Sequence, residues 1–196
     1  MIPPAELLVV MALPEEEQGL LAAEGAPLLF TGLGKINAAL VLTRRLVELR
    51  LTGRLPRLVV NFGTVGSRRL PAGSVVASHR FVQRDMDVTP LGFAHGHTPF
   101  DAHGGELVFE PVFHHLPQVV CGSGDNFETA APQLHCDVVD MEAYAKAKAC
   151  LHEGVAFASA KFVTDGADGN AAGDWNANLP RAAAAFRDLY RGLVRA

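Results

Sequence analysis

Acidic and small polar side chains follow five short apolar runs of this 196-residue chain. Continuous apolar runs of this length are typical of buried strands. Because ligands of α/β folds bind outside the carboxyl ends of the strands, these side chains are expected to meet at one edge of a sheet. The five segments are Glu15–Glu17, Gly63–Gly66, Gly122–Phe127, Asp140–Glu142 and Thr164–Asp165.

Carboxylates that share a site can act as general acid and general base, and they can orient water or accept hydrogen bonds from sugar hydroxyls. A single acid after a strand more often caps a helix or complements its dipole. The coincidence of five such segments nevertheless predicts a functional site, although it does not name the reaction.

Two other patterns could indicate a cofactor or a metal. Gly32 and Gly34 lack the third glycine of a dinucleotide-binding fingerprint, so they support NAD only weakly. His95, His97 and His103 lie in a glycine-rich segment and leave a metal-dependent hydrolase open, but scattered loop histidines are more often solvated. We therefore expect neither a cofactor nor a metal.

The elements that must position these residues alternate between strands and helices along the chain. This alternation predicts one α/β domain over residues 1–196, with a central mixed, largely parallel β-sheet flanked by helices. A long loop is predicted over 84–105 and a closing amphipathic helix over Leu179–Arg195. A helix is also predicted from Gly32–Asn37 to about Leu51, and one face of it carries Ile36, Ala39, Leu40, Thr43 and Val47.

Composition restricts the class of partner and the compartment. The net charge of −4 makes nucleic acid an unexpected partner. No apolar run approaches the roughly 20 residues that span a bilayer, and the first residues lack the features of a signal peptide. Three cysteines with no zinc-binding spacing indicate a reduced protein, so a cytoplasmic location is expected.

Seven segments carry a resemblance to a known family. They read, in chain order, MALPEEEQGLL, TGLGKINAAL, VVNFGTVGS, DVTPLGF, GSGDNF, VVDMEAYA and KFVTDGAD. In this order the chain resembles the methylthioadenosine/S-adenosylhomocysteine nucleosidases of the purine nucleoside phosphorylase superfamily. The resemblance implies a homodimer that hydrolyses the N-glycosidic bond of a small-molecule purine nucleoside without a cofactor.

The resemblance also implies roles for single residues. Glu17 is similar to the glutamate that orients the attacking water, Glu142 to the one that holds the ribose hydroxyls, and Asp165 to the aspartate that protonates the purine N7. Leu91–Pro99 is similar to a loop that a dimer partner lends to close the 5′ pocket. Contacts with the substrate are implied for Thr64, Phe127, Glu128, Met141 and Thr164.

The sequence favours water over phosphate as the nucleophile. Asn61 and Phe62 precede Gly63, where phosphorylases of the superfamily carry an arginine, and the acidic segment Glu15–Glu17 would repel phosphate. A phosphorylase and a catalytically silent nucleoside-binding protein remain alternatives.

Two shortened stretches separate this chain from the family pattern. Between Glu17 and Gly32 the family has a further β-hairpin, and the stretch 101–118 is shorter than usual. These departures indicate a changed 5′ pocket, so another nucleoside such as futalosine or inosine stays open.

Overall fold

The computed structural model describes residues 1–126, 134–166 and 171–194. Helix α4 begins at Ala171, before Leu179, where the closing helix is predicted to begin. The strands among the described residues are β1 (Leu7–Met11), β2 (Leu28–Phe30), β3 (Leu58–Gly66), β4 (Val75–Gln83), β5 (Leu107–Val108), β6 (Gln118–Ser123), β7 (Val138–Asp140) and β8 (Ala156–Asp165). The α-helices are α1 (Leu20–Ala23), α2 (Lys35–Leu51), α3 (Ala143–His152) and α4 (Ala171–Val194).

The strands form one mixed sheet, which confirms the predicted fold class. The order is β2-β1-β3-β7-β6-β4-β5, and β8 pairs with both β3 and β4. Pairs β1–β2, β1–β3, β3–β8, β4–β6 and β6–β7 are parallel, and β3–β7, β4–β5 and β4–β8 are antiparallel. Because β3, β8, β4, β6 and β7 pair in a ring, the sheet closes on itself like a barrel, which the alternation of elements did not predict.

Helices cover the sheet on both sides, so its strands are apolar on both faces. Strand β1 illustrates the pattern: Leu8 and Val10 belong to one core cluster, with residues of α2 and α3. Leu7, Val9 and Met11 belong to a second cluster, with residues of α1 and α4. This double burial explains why β1 reads as a continuous apolar run. None of the described helices is long and apolar enough to cross a membrane.

Helix α2 buries a different face from the one that the spacing indicated. Its buried side chains are Ala38, Leu42, Leu46 and Leu49. Ile36 and Leu40 of the predicted face are instead exposed by 71% and 66%. The helix is apolar on two sides, and only one of them packs on the sheet.

Candidate active site

The carboxyl ends of β3, β7 and β8 and the turns after β1 and β6 surround a cavity of about 390 Å³. All five acidic or polar segments singled out in the sequence contribute to it, so the predicted convergence at one edge of the sheet is confirmed. The lining residues are Ala12, Leu13, Glu16, Leu33, Thr64, Val65, Gly66, Arg84, Asn126, Val139, Asp140, Met141, Glu142, Thr164, Asp165, Trp175 and Asn176.

Glu16 is the carboxylate that the segment after β1 places in the cavity. Its Oε1 accepts hydrogen bonds from the backbone N–H and the hydroxyl of Thr64, each at 2.9 Å. Its Oε2 accepts from the backbone N–H groups of Ala12 and Leu13, both at 3.3 Å. Glu16 as a whole is only 4% exposed, so these bonds hold its carboxylate in one orientation beside Thr64.

Glu17 does not lie where the resemblance placed it. Its Oε2 accepts hydrogen bonds from the N–H groups of Leu21 and Ala22, at 2.9 and 3.2 Å, and it does not line the cavity. It therefore satisfies backbone donors at the start of α1, which is the ordinary role of an acid before a helix. The place predicted for Glu17 in the cavity is corrected to Glu16.

Asp165 is the last residue of β8. It lines the cavity and is 6% exposed. The Thr164 hydroxyl lies 2.7 Å from its Oδ2. A shift of register between Val65 and Gly66 brings Gly66 opposite Asp165, as bulges near sites often re-aim a side chain. The Thr164 hydroxyl and the Asp165 carboxyl are thus in contact at the edge of the cavity.

Glu142 precedes the first residue of α3 and faces the N-terminus of α2. Its Oε1 accepts the Gly34 N–H at 2.9 Å, and Asp125 accepts the neighbouring Lys35 N–H at 2.7 Å. Two acids thus satisfy free N–H groups at a positive helix end. Burial raises the pKa of Glu142, Lys146 works against that rise, and the pKa lies above its ordinary value.

A buried ion pair supports the floor of the site. Lys161 Nζ lies 2.7 Å from Asp140 Oδ2, with both side chains 2% exposed, and Asp140 Oδ1 accepts the Ser123 hydroxyl at 2.5 Å. Burial alone would raise the pKa of Asp140, but the charge and hydrogen bond of Lys161 outweigh it, and the pKa lies below its ordinary value. A Cβ on Gly63 would lie 3.2 Å from Lys161 Nζ and 3.5 Å from Glu16 Oε1, so glycine leaves room for both groups.

Asp140→Asn is expected to lower the free energy of unfolding by about 3 kcal/mol, because it leaves the Lys161 ammonium buried without its counter-charge. Unfolding in urea at neutral pH measures this loss. Asp188→Asn, at a position whose side chain is 62% exposed, is the control and should change stability by no more than about 0.5 kcal/mol. Equal stability of wild type and Asp140→Asn would mean that Lys161 is not charged in the fold.

Sequence reasoning missed several residues of the cavity and its floor. Arg84 donates to the side-chain and backbone oxygens of Asn126 at 2.9 and 2.6 Å, and Trp175 Nε1 donates to Thr64 Oγ1 at 2.9 Å. Only Lys161 left a signal in the sequence, as a charge inside the apolar run of β8.

The remaining predicted substrate contacts divide into two groups. Thr64, Met141 and Thr164 line the cavity. Phe127 and Glu128 lie outside the described residues.

The histidines proposed as possible metal ligands have other contacts. His95 Nε2 lies 2.9 Å from the Arg84 carbonyl oxygen, and the His103 ring stands edge-on to His152 at 6.3 Å. Within the described part of the chain, no three His, Cys, Asp or Glu residues are arranged to hold a metal ion. The metal-dependent alternative gains no support from this geometry.

Comparison with known proteins gives similar proteins that are named as nucleosidases or as a futalosine hydrolase. A 5′-methylthioadenosine/S-adenosylhomocysteine nucleosidase of Haemophilus influenzae strain PittEE is 30% identical over 186 residues, which cover 85% of this chain and 79% of that protein. The nucleosidase of Helicobacter pylori of the same name has a similar structure, with a TM-score of 0.80 at 18% identity, covering 96% of this chain and 97% of that one. A futalosine hydrolase of Helicobacter pylori has a TM-score of 0.79 at 19% identity, covering 96% of each chain.

A family profile also matches most of this chain. The profile described as the phosphorylase superfamily matches residues 17–195, nearly the whole chain. Together with the fold and the relatives, this shows that the chain belongs to the phosphorylase superfamily and, within it, to the 5′-methylthioadenosine/S-adenosylhomocysteine nucleosidases, a family of N-glycosyl hydrolases.

Proposed function

We propose that this enzyme hydrolyses the N-glycosidic bond of a purine nucleoside, such as 5′-methylthioadenosine or S-adenosylhomocysteine, with water as the nucleophile. One observation carries the proposal: three carboxylates, those of Glu16, Glu142 and Asp165, line a single cavity at the carboxyl ends of the strands. Family membership supplies the reaction class, and the geometry supports a separate role for each acid.

Asp165 is the group that we assign to the leaving base. A purine leaves poorly as an anion, and protonation of its N7 lets it leave neutral, so a general acid is needed. The Thr164 hydroxyl lies 2.7 Å from Asp165 Oδ2 and can hold this carboxyl in place while Asp165 gives its proton to the base. Phe127 and Glu128 remain predictions for contacts with the base.

Glu16 is the group that we assign to the attacking water. Bonds to Thr64, Ala12 and Leu13 fix its carboxylate. A carboxylate beside a developing oxocarbenium ion stabilises the positive charge and accepts a proton from water. Water fits this place better than phosphate, because the carboxylates of Glu16 and Glu142 would repel an anion in the cavity.

Glu142 is the group that we assign to the ribose. When ionised, its carboxylate offers acceptor sites on two oxygens for the two sugar hydroxyls, in addition to the Gly34 N–H bond that it already makes. Met141, the preceding residue, also lines the cavity. The sugar would then lie between Glu142 and the water held by Glu16.

Release of free purine from 5′-methylthioadenosine, with and without phosphate, tests the function. We expect the same rate of adenine release in both, with methylthioribose as the other product. Release that requires phosphate and yields a sugar 1-phosphate would identify a phosphorylase instead. Parallel assays with S-adenosylhomocysteine, inosine and futalosine would identify the preferred nucleoside.

The single tryptophan distinguishes an active enzyme from a silent binding protein. Trp175 lines the cavity and donates to Thr64, so a bound nucleoside should change its fluorescence. A saturable change of fluorescence with no product from any of these nucleosides would contradict hydrolysis and support the binding protein.

We further propose that the enzyme is a homodimer through the exposed apolar face of α2, defined by Ile36, Leu40, Val47 and Leu51. Leu51 is 82% exposed, and apolar surface of this kind commonly marks an interface between proteins. Leu33, 51% exposed, continues the face to the cavity that it lines. A partner covering this face would reach the cavity mouth, where the resemblance implies a lent loop over Leu91–Pro99.

Leu40→Glu is expected to convert the dimer to a monomer at micromolar concentration, because it places a charge in the apolar face of α2. Size-exclusion chromatography with light scattering measures the mass of each species. Val108→Glu, a matched change at an exposed apolar residue of β5, should leave the mass unchanged. A dimer that persists in Leu40→Glu would place the interface elsewhere.

The state of the three cysteines is relevant to the cellular compartment of the protein. Cys121, Cys136 and Cys150 are buried free thiols, and burial raises the pKa of Cys121 and Cys150. Neutral buried thiols are compatible with a reducing environment, so we propose the cytoplasm as the location.

A further inference from the structure

A second lysine, Lys146, lies inside the protein one turn of α3 beyond Glu142. Its backbone N–H donates to the Glu142 carbonyl at 3.0 Å, and residues four apart stand on the same face of a helix. The whole residue is only 1% exposed. Glu142 lines the cavity, and Lys146 follows it one turn later on the same side of α3, inside the protein.

The Lys146 ammonium has no direct partner among the described residues. It makes no hydrogen bond or close ion pair there, in contrast to Lys161, which lies 2.7 Å from Asp140. Its charge acts instead at longer range on the carboxylates of Glu142, Glu16 and Asp140. A buried ammonium is unfavourable unless nearby opposite charge compensates it, so Lys146 depends on the acids of the site.

The groups that face Glu142 come from every element around it. The Gly34 N–H from the start of α2 and Lys161 from β8 favour the ionised carboxylate, whereas Asp140 from β7 opposes it. Glu16, in the turn after β1, adds a further negative charge near Lys146. Burial raises the pKa of Glu142 more than any other influence, and Lys146 is the largest influence that lowers it.

Lys161 is paired with Asp140 and lowers the pKa of Glu142 less than Lys146 does. The pKa of Lys146 is itself lowered by burial, and the nearby carboxylates restrain that fall. The two members of the Glu142–Lys146 pair thus stabilise each other's charged form.

We propose that Lys146 is a positioning residue that keeps Glu142 ionised, so that both oxygens of Glu142 can accept hydrogen bonds from the ribose. The proposal rests on the proposed function, in which Glu142 binds the sugar. A protonated Glu142 would donate one hydrogen bond and lose acceptor capacity. Its binding of the two sugar hydroxyls would therefore be weaker.

Lys146→Met tests the proposal through the pH profile of kcat/KM. Without the ammonium the pKa of Glu142 rises further, and activity that needs the carboxylate is lost as the pH falls through that pKa. We expect the acidic limb to move upward by about one pH unit or more, with most of the activity retained at high pH. A uniform loss of rate at every pH would overturn the proposal, because a merely structural role predicts that result.

Lys148→Met is the matched control, two residues along the same helix. The Lys148 ammonium pairs with Asp101, away from the cavity. This variant should keep the wild-type pH profile. The same shift in both variants would mean that any charge on α3 has the effect, which would contradict a specific role for Lys146.

A stability cycle tests the pair without any activity. It compares wild type, Lys146→Met, Glu142→Gln and the double variant by urea unfolding at pH 8. Each single change removes the charge that contributes most to compensating the other, and the double change removes both charges, so the loss in the double variant should be smaller than the sum of the single losses. Additive losses would overturn the proposal.

The cycle also separates failure of this proposal from failure of the proposed function. A wild type that hydrolyses no purine nucleoside would contradict the function, whereas the cycle would still show whether the pair is coupled. If Lys146→Met alone fails to fold, a folded double variant would still support the coupling, and an unfolded one would contradict it.

Discussion

Replacement of Asp165 by asparagine is expected to slow the release of purine by about 10²- to 10⁴-fold. Asparagine has nearly the same shape and can keep the contact with the Thr164 hydroxyl, which lies 2.7 Å from Oδ2 in the wild type. It has no acidic proton to give to the base. Because the lost interaction belongs to the transition state, kcat and kcat/KM should fall together. Steady-state assays of both proteins, with melting curves beside them, measure this result.

A change of leaving group separates the acid from a structural role. A 4-nitrophenyl riboside releases 4-nitrophenolate, which is stable as an anion, so its cleavage needs little help from a general acid. Asp165→Asn should therefore lose much less activity on this substrate than on the purine nucleoside. An equal loss on both substrates would show that Asp165 acts through the shape of the site and not through its proton. Asp188→Asn, exposed on α4, should match wild type on both.

The position of the site could be predicted from the sequence because the strands that build it are strongly apolar. Strands β1, β3 and β8 are buried on both faces and mostly apolar, so clusters of polar residues stand out at or just after their carboxyl ends. Parallel strands bring those ends to one edge. That physical rule, rather than any single residue, placed Thr64, Glu142 and Asp165 around one cavity.

The choice between Glu16 and Glu17 could not be predicted in the same way. The segment after β1 forms a 3₁₀ turn over Pro14–Glu16, and Gln18 and Gly19 then take left-handed backbone angles. Neither the period of a strand nor that of a helix continues through such a turn. Adjacent glutamates therefore point to different places, and only the folded structure separates their roles.

Helix α2 and the closure of the sheet show a second limit. The spacing of Ile36, Leu40 and Val47 is helical, but so is that of Leu42, Leu46 and Leu49, which are the ones buried. Periodicity identifies a helix and an apolar face, but it does not say which of two faces meets the core. The ring formed by β3 and β8 with three further strands depends on pairings far apart in sequence, which local patterns do not encode.

Glu16→Gln and Glu17→Gln are expected to differ sharply, although the residues are adjacent. Both oxygens of Glu16 accept from N–H groups: Oε1 from Thr64, and Oε2 from Ala12 and Leu13. A glutamine must turn its own NH₂ toward one set of these donors, and it has no negative charge to orient water. Turnover should therefore fall by about 10²-fold or more in Glu16→Gln.

Glu17→Gln meets no such conflict. Only Oε2 of Glu17 accepts at the start of α1, from Leu21 and Ala22, so the amide oxygen of a glutamine can replace it. The expected cost is about 1 kcal/mol of stability or less, from the lost charge at a helix N-terminus, with turnover close to wild type. Glu15→Gln, at an exposed position, is the control for a change of charge alone.

The three neighbouring variants form one experiment that decides which glutamate serves the water. Azide attacks without needing a base, and it enters more easily where a negative charge has been removed, so it should restore part of the turnover of Glu16→Gln as a glycosyl azide. It should not accelerate Glu15→Gln or Glu17→Gln, which keep the Glu16 carboxylate. Loss of turnover in Glu17→Gln with an active Glu16→Gln would reverse the assignment. It would also require the turn after β1 to rearrange when substrate binds, because the Glu17 carboxylate is bound to the first N–H groups of α1.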